Sequence, residues 1–343
     1  MDAFLAEKQL CNSCRIFSTA TQEENQEEWL KARTHGIGGS DIGTVCGVNP
    51  YSSPRMLYLQ KTGQFDNDIM PSSYSSDASK ERMLFGHLLE PVVASEFERR
   101  SGKKVVNVKA TFQHKDYPWA LANVDRFIVD ENNVIIGVLE CKTAGEYLNS
   151  DWDTGDIPIS YIYQLNWYLW ITGLKYGCFA CLVGGNKFHM IEVYRNEDLV
   201  AEMIQKADTF WNYNVKQLIP PDFIGNEADK DLVNAENSEV VKNSEIVLSE
   251  EEYDEAAVRI CQIKKQLKEL EAELLECSNK LKDKIGCNEI CYTPRTIIKW
   301  PGRSMTTVDS KRLKLEAPQI FGAYSRVTKY RALSVKLIGG DDE

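Results

Sequence analysis

Two stretches decide how this chain reads: Leu121-Ala-Asn-Val-Asp-Arg-Phe-Ile-Val129 and Val134-Ile-Ile-Gly-Val-Leu-Glu-Cys-Lys142. Both have the apolar, β-branched character of strands. Side chains alternate along a strand, so Glu140 and Lys142 share one face and Cys141 takes the other. A hairpin joining the two runs brings Asp125 beside Glu140. Two carboxylates that meet in this way repel, and a divalent cation relieves the repulsion. Hard oxygen ligands favour Mg²⁺ or Mn²⁺ over zinc. Lys142 then sits beside the metal, placed to orient or deprotonate a water or to stabilise a phosphate. Taken alone, the same pattern also fits a surface Glu–Lys pair on an edge strand.

Working outward, Glu90 lies on a preceding helix, immediately before Pro91, as a third candidate carboxylate. Gln164 lies on a following helix, and Tyr168, four residues on, shares its face. The pattern predicts a helix over 79–100, carrying Met83, Leu84, Leu88 and Val92. Strands are expected near 104–113, 120–130 and 133–143, a helix over 158–172, strands at 176–183 and 187–194, and a helix near 196–217 that Pro220-Pro221 ends. That order is an α/β (α+β) architecture, a central mixed β-sheet flanked by helices.

Upstream, Arg33-Thr-His-Gly-Ile-Gly-Gly-Ser-Asp41 precedes a helical stretch. A glycine-rich turn at a helix start offers backbone N–H groups to an anion. An ordinary N-cap with tightly packed glycines fits the same residues.

Past the β-rich region the chain changes character. We expect a leader at 1–24, a catalytic domain over 25–224, an acidic solvated linker over 225–249, a coiled-coil helix over 250–285 and a small β-rich basic module over 286–343. The helix has one seam of Tyr253, Ile260, Leu267, Leu274 and Leu281 and another of Ala256, Ile263, Leu270, Cys277 and Lys284. This 3.5-residue period fits a coiled coil or one long amphipathic helix packed on its own chain. Lys284 to Ile338 holds eleven Lys or Arg against three acids, with Trp300, Tyr324 and Tyr330 interspersed. A basic stretch with aromatics suits nucleic acid, and a solvated basic face is the plain alternative.

The 343 residues suit about two domains. A net charge of −11 excludes a uniformly basic coat but not a local basic surface or a carboxylate-rich metal site. No run reaches the ~18 apolar residues of a membrane span. The start of the chain lacks the marks of a secretory signal, so a cytoplasmic protein is expected. The ten cysteines are then expected to be reduced. Cys11 and Cys14 have no partner pair at zinc-ribbon spacing, and Cys178 and Cys181 read as small core residues.

The ordered set of motifs resembles the YqaJ-like viral recombinase family, which is related to the lambda-type phage exonucleases of the PD-(D/E)XK nuclease superfamily. The elements are Arg33 with Gly-Ile-Gly-Gly-Ser-Asp-Ile42, Asn49-Pro-Tyr51, Phe85-Gly to Glu90, Asn123-Val-Asp-Arg126, Leu139-Glu-Cys-Lys-Thr143, Trp152, Tyr161 with Gln164 and Tyr168, and Gly173. They span roughly 27–217.

The resemblance implies a restriction-endonuclease-like core in a phage or prophage protein of the bacterial host cytoplasm. It also implies two Mg²⁺ or Mn²⁺ ions held by Asp125 and Glu140, with Glu90 contributing, and Lys142 as the catalytic lysine. Arg33, Ser40 and Gln164 fall where lambda-type enzymes hold a 5′-terminal phosphate. Asn123 stands where a serine makes such a contact, and it too can donate a hydrogen bond. The implied activity is digestion of one strand of duplex DNA from a 5′ end, leaving a 3′ strand for a single-strand annealing protein. Homo-oligomers through the nuclease domain or the coiled coil are the other expected partners. The alternatives are a nicking or branch-cutting endonuclease of the same fold, a DNA-binding scaffold acting through the coiled coil and tail, and an iron–sulfur nuclease of the same superfamily.

Overall fold

The structure is a computed structural model that describes all residues except 22–23, 65–76, 327–332 and 336–343. Tyr330 of the basic tail therefore lies outside the described residues. The chain divides into two compact units, Met1–Asn237 and Ser238–Glu343.

The first unit opens with α1 (Ala3–Leu10), β1 (Cys14–Ser18), α2 (Gln26–Thr34), α3 (Gly39–Val45), α4 (Pro54–Thr62) and α5 (Asp77–Ser101). Strands β2 (Lys104–Val106), β3 (Thr111–His114), β4 (Leu121–Ala122), β5 (Arg126–Val129) and β6 (Ile135–Ala144) follow. Helices α6 (Asn149–Thr154) and α7 (Ile159–Thr172) lead to β7 (Tyr176–Val183) and β8 (Lys187–Tyr194). Helix α8 (Glu197–Asp208) runs on as a π-helical turn to Val215, and α9 (Glu227–Glu236) closes the unit.

The main sheet has the order β2-β5-β6-β7-β8. Only β6 and β7 run parallel, and the pair needs a crossover. The connection from 145 to 175 supplies it, with α7 on one face. Alternation along the strands divides the core between the two faces. Val138 and Phe179 join the larger cluster on the α7 side. Leu139 and Cys178 pack with Val93, Ala94 and Phe97 of α5 on the other. By the same parity, Glu140 and Lys142 face α7.

Several expectations change. The run expected as one strand over 120–130 breaks at residues 123–125, which leave the ladder just before β5. The expected strand over 104–113 becomes β2 and β3, which belong to different sheets. On α5, Met83, Leu84, Leu88 and Val92 are exposed, and the buried face is Val93, Ala94 and Phe97.

The expected leader is built into the fold. β1 pairs with β3 in a three-stranded sheet β1-β3-β4. Ala6, Leu10 and Cys14 are buried in the larger cluster. The Arg15 guanidinium donates to the Gln113 side-chain oxygen through Nε at 2.9 Å and Nη2 at 2.7 Å.

The expected linker over 225–249 is only partly one. Asn226 caps α9 by accepting from the Asp229 amide at 3.0 Å, and Ala228 and Leu232, one turn apart, are buried. The acidic composition hides this short apolar stripe.

The second unit holds α10 (Glu251–Ile285), a hairpin of β9 (Ile290–Tyr292) and β10 (Ile297–Lys299), and the short helices α11 (Ser310–Glu316) and α12 (Pro318–Tyr324). The β-rich character expected of the basic module is confined to the hairpin among the described residues.

Candidate active site

The site is built on β6 where it faces α7. Asp125 has left the β5 ladder, and its Oδ2 accepts the Cys141 amide at 2.9 Å. A side chain thus does the work of a strand carbonyl, which pins Asp125 against Glu140. Glu140 is 2% exposed. Its Oε1 accepts from Lys142 Nζ at 2.7 Å and from Gln164 Nε2 at 2.7 Å. Its Oε2 is buried with no hydrogen-bond partner. Lys142 Nζ also donates to Gln164 Oε1 at 3.0 Å, and it lies 4.5 Å from the Tyr161 ring centroid. The Gln164 amide further donates to the Tyr168 hydroxyl at 3.2 Å. One glutamine therefore ties this face of β6 to α7.

Electrostatics follow from burial. Asp125 is pushed up to about 7, by desolvation first and then by the neighbouring Glu140 charge. Glu140 is raised for the same first reason, although Lys142 opposes it. Burial pulls Lys142 down, but Glu140 and Asp125 outweigh it and hold the ammonium above its ordinary range. Glu90 is raised by burial and by Asp125. It forms a short ion pair with Arg126, whose Nη1 also donates to the Asp125 carbonyl at 2.6 Å.

This donor set fits a hard divalent cation. A buried carboxylate oxygen without a donor costs desolvation energy that a cation offsets. A carboxyl raised beside a second carboxyl is relieved in the same way. Among the described residues, no three His, Cys, Asp or Glu side chains converge in a closed cage. Asp125 and Glu140 adjoin, while Glu90 stands off on Arg126.

The phosphate-binding candidates form a second cluster. Arg33 on α2 lies over the Trp29 ring at 4.8 Å and donates to Ser40 Oγ at 2.7 Å. Asp41 sits 3.9 Å from Arg33 and 2.7 Å from Lys61, and these cations hold its carboxyl below the usual range despite burial. The backbone cradle expected at Gly38-Gly39 is not free for a ligand. The Gly38 amide donates to Asp41 Oδ2 at 2.9 Å, because this helix start caps itself. Gly39 instead serves close packing: a Cβ there would lie 2.3 Å from the Tyr168 ring. That contact joins α3 to α7, the helix that carries Gln164. Arg33 is near enough to Tyr168 to perturb its hydroxyl, as are Glu140 and Asp125.

Asn123 donates to Thr111 Oγ1 at 2.7 Å. It lines a cleft of about 330 Å³ with Trp29, Glu90, Asp125 and Arg126. All eight predicted residues thus fall in two adjoining clusters. From the sequence, Arg126 and Tyr161 are named only as motif elements without a role, and Lys61 and Trp29 are passed over. Arg126 follows the aspartate directly, and Tyr161 is one turn before Gln164, so both had local signals. Lys61 and Trp29 meet the site only through tertiary packing.

The cysteines are structural in their surroundings. Cys178 and Cys181 are buried on opposite faces of β7. Cys14 is buried and donates to the Leu10 carbonyl at 3.8 Å, whereas Cys11 is exposed.

The profile of the YqaJ-like viral recombinase domain matches residues 28–175. The chain is 36% identical over 317 residues to the uncharacterized protein YqaJ of Bacillus subtilis, which spans 92% of this chain and 95% of the relative. Among solved structures it is similar to an alkaline exonuclease, LHK-Exo, from Laribacter hongkongensis. That match has TM-score 0.45 and 19% identity, over 56% of this chain and 94% of the other. A phage-related exonuclease from Haemophilus somnus matches at TM-score 0.40 and 7% identity, over 53% of this chain and 95% of that one.

Proposed function

The chain belongs to the YqaJ-like viral recombinase family, and on that premise we propose that it is a metal-dependent deoxyribonuclease that degrades one strand of duplex DNA from a 5′ end. The observation that carries this reading is the Glu140 carboxylate, buried with Oε2 unpartnered beside Asp125. Asp125 and Glu140 are the residues that would hold Mg²⁺ or Mn²⁺, as one or two ions, with Glu90 as the third carboxylate at the cleft. Such cations activate water and neutralise charge on the phosphodiester.

The protein's own groups have separate tasks. Lys142 stays charged and places a fixed positive charge at the face where a phosphate would lie. Gln164 holds both Glu140 and Lys142, so their geometry is set before substrate arrives. Arg33 and Ser40 are suited to a terminal phosphate, because a guanidinium binds it with parallel N–H donors. Asn123 adds a donor on the cleft side. Binding the end in this cluster would align the next phosphodiester over the carboxylates. The 3′ strand left behind would go to a single-strand annealing protein. The basic part of the second unit would add phosphate contacts.

The test is digestion of end-labelled linear duplex, with and without Mg²⁺, against a covalently closed circle. Metal-dependent release of 5′ nucleotides from the linear DNA alone is the expected result.

A further inference from the structure

The search of the molecule leads away from the nuclease site, to α10. Among the described residues this 35-residue helix carries an apolar seam that is exposed along its middle, while nearer its start Cys261 donates to the Val335 carbonyl at 3.7 Å. Leu267 is 51% exposed, Leu270 60% and Leu274 66%. A helix so exposed along its seam requires a partner to bury it.

We propose that the partner is α10 of a second copy, docked antiparallel as a two-stranded coiled coil centred near Lys265. Two properties of the sequence select this arrangement over a parallel one.

The first is layer size. Antiparallel helices pair seam positions crosswise. In this register Tyr253 meets Cys277 of the partner subunit, and Ala256 meets Leu274 of the partner subunit. Ile260 then meets Leu270 of the partner subunit, and Ile263 meets Leu267 of the partner subunit. Each layer occurs twice by symmetry. Every small seam residue faces a large one. A parallel pair stacks like on like instead. It puts two alanines together at 256 and two ammonium groups together at Lys284, which leaves a void at one level and a repulsion at another. In the antiparallel register Lys284 falls beyond the overlap.

The second property is charge beside the seam. The flanking positions on one side are Glu252, Arg259, Gln266, Glu273 and Lys280. In the antiparallel register Arg259 faces Glu273 of the partner subunit, and Glu252 faces Lys280 of the partner subunit. Each attraction is repeated by symmetry, against a single Lys264–Lys264 repulsion on the dyad. In a parallel pair Arg259 would face Lys264 of the partner subunit, which is repulsive. Partner choice and orientation follow such flanking charges.

The test uses the full-length chain carrying Tyr253→Cys. The native Cys277 is its predicted neighbour across the seam. Positions 253 and 277 of one helix are about 36 Å apart at 1.5 Å per residue, so they cannot bond within one chain. Mild oxidation followed by peptide mapping should yield a reducible dimer linked from 253 to 277. A homotypic 277-to-277 link, which only the parallel pair allows, would overturn the proposal. Charge supplies an independent arm, read by sedimentation of the full-length protein. Arg259→Glu should weaken the dimer about tenfold, since two attractions become repulsions. Adding Glu273→Arg should restore it. A tighter dimer with Arg259→Glu alone would mean a parallel pair. No change would mean that the seam is not the interface. Both substitutions lie on an exposed helix surface and leave its core-facing positions intact.

Discussion

Lys142 donates to Oε1 of Glu140 at 2.7 Å, while the other oxygen of that carboxylate is buried with no partner. Lys142 and Gln164 thus satisfy one oxygen of the acid and leave the other without a donor. Glu140→Gln keeps the shape but removes the charge. It should reduce cleavage by roughly a hundredfold or more while the melting temperature holds or rises. Cleavage rate and thermal melting of the purified variant decide this. A variant as active as wild type would remove Glu140 from the chemistry.

The shifted Asp125 makes stability depend on pH in the metal-free protein. Its folded-state value of about 7 lies above the ordinary 3.8. Between those values the folded state holds a proton that the unfolded chain has released. Its contribution to stability is therefore complete below pH 4 and is lost as pH rises through 7. Melting temperature in chelator should fall across that window, and Asp125→Asn should flatten the fall. Divalent cation competes with the same proton, so cation affinity measured by calorimetry should weaken as pH drops below 7.

Gly39 packs against Tyr168 with no space for a side chain. Gly39→Ala should therefore separate α3 from α7 and destabilise the fold by about 1–3 kcal/mol. The melting temperature tests this directly, and an unchanged value would contradict the contact. The same variant should lose preference for phosphorylated ends, because Ser40 follows Gly39.

Arg33 stacks on Trp29 and contacts Ser40. Losing a charge-assisted contact costs roughly 1.5–3 kcal/mol. Arg33→Ala should thus slow digestion of 5′-phosphorylated duplex about tenfold or more, with a much smaller effect on 5′-hydroxyl ends. The rate ratio for the two ends, in wild type and variant, is the measurement. Equal ratios would remove Arg33 from end recognition.

The first compact unit ends at Asn237, because α9 packs within it. A chain cut there should keep cleavage but bind DNA more weakly and with a flatter dependence on salt, as phosphate contacts are lost. Filter binding across salt concentrations tests this, and an unchanged slope would rule out the second unit as a DNA contact.

The grouping of the candidate site residues was legible because its signals are local. Alternation along β6 puts Glu140 and Lys142 together, and one helical turn puts Gln164 with Tyr168. The β5–β6 hairpin carries Asp125 to Glu140 with few residues between. What escaped depends on distant partners. β1 is a strand because β3, almost a hundred residues later, pairs with it. Lys61 joins the site through Asp41 on another helix. The Gly38-Gly39 turn read as an anion cradle because its sequence cannot show that Asp41 takes the amide. The exposure of Met83 and Leu88 on α5 was equally hidden, since period alone does not say which side of a helix meets the sheet.

The most direct test of the central claim compares wild type and Glu140→Gln on end-labelled linear duplex and on a covalently closed circle, each with Mg²⁺ or with excess chelator. The account predicts that only wild type with Mg²⁺ releases label, that it does so from 5′ ends, and that the circle stays intact. Digestion in chelator, or by Glu140→Gln at the wild-type rate, would contradict the carboxylate site, and rapid cutting of the circle would contradict an end-dependent exonuclease.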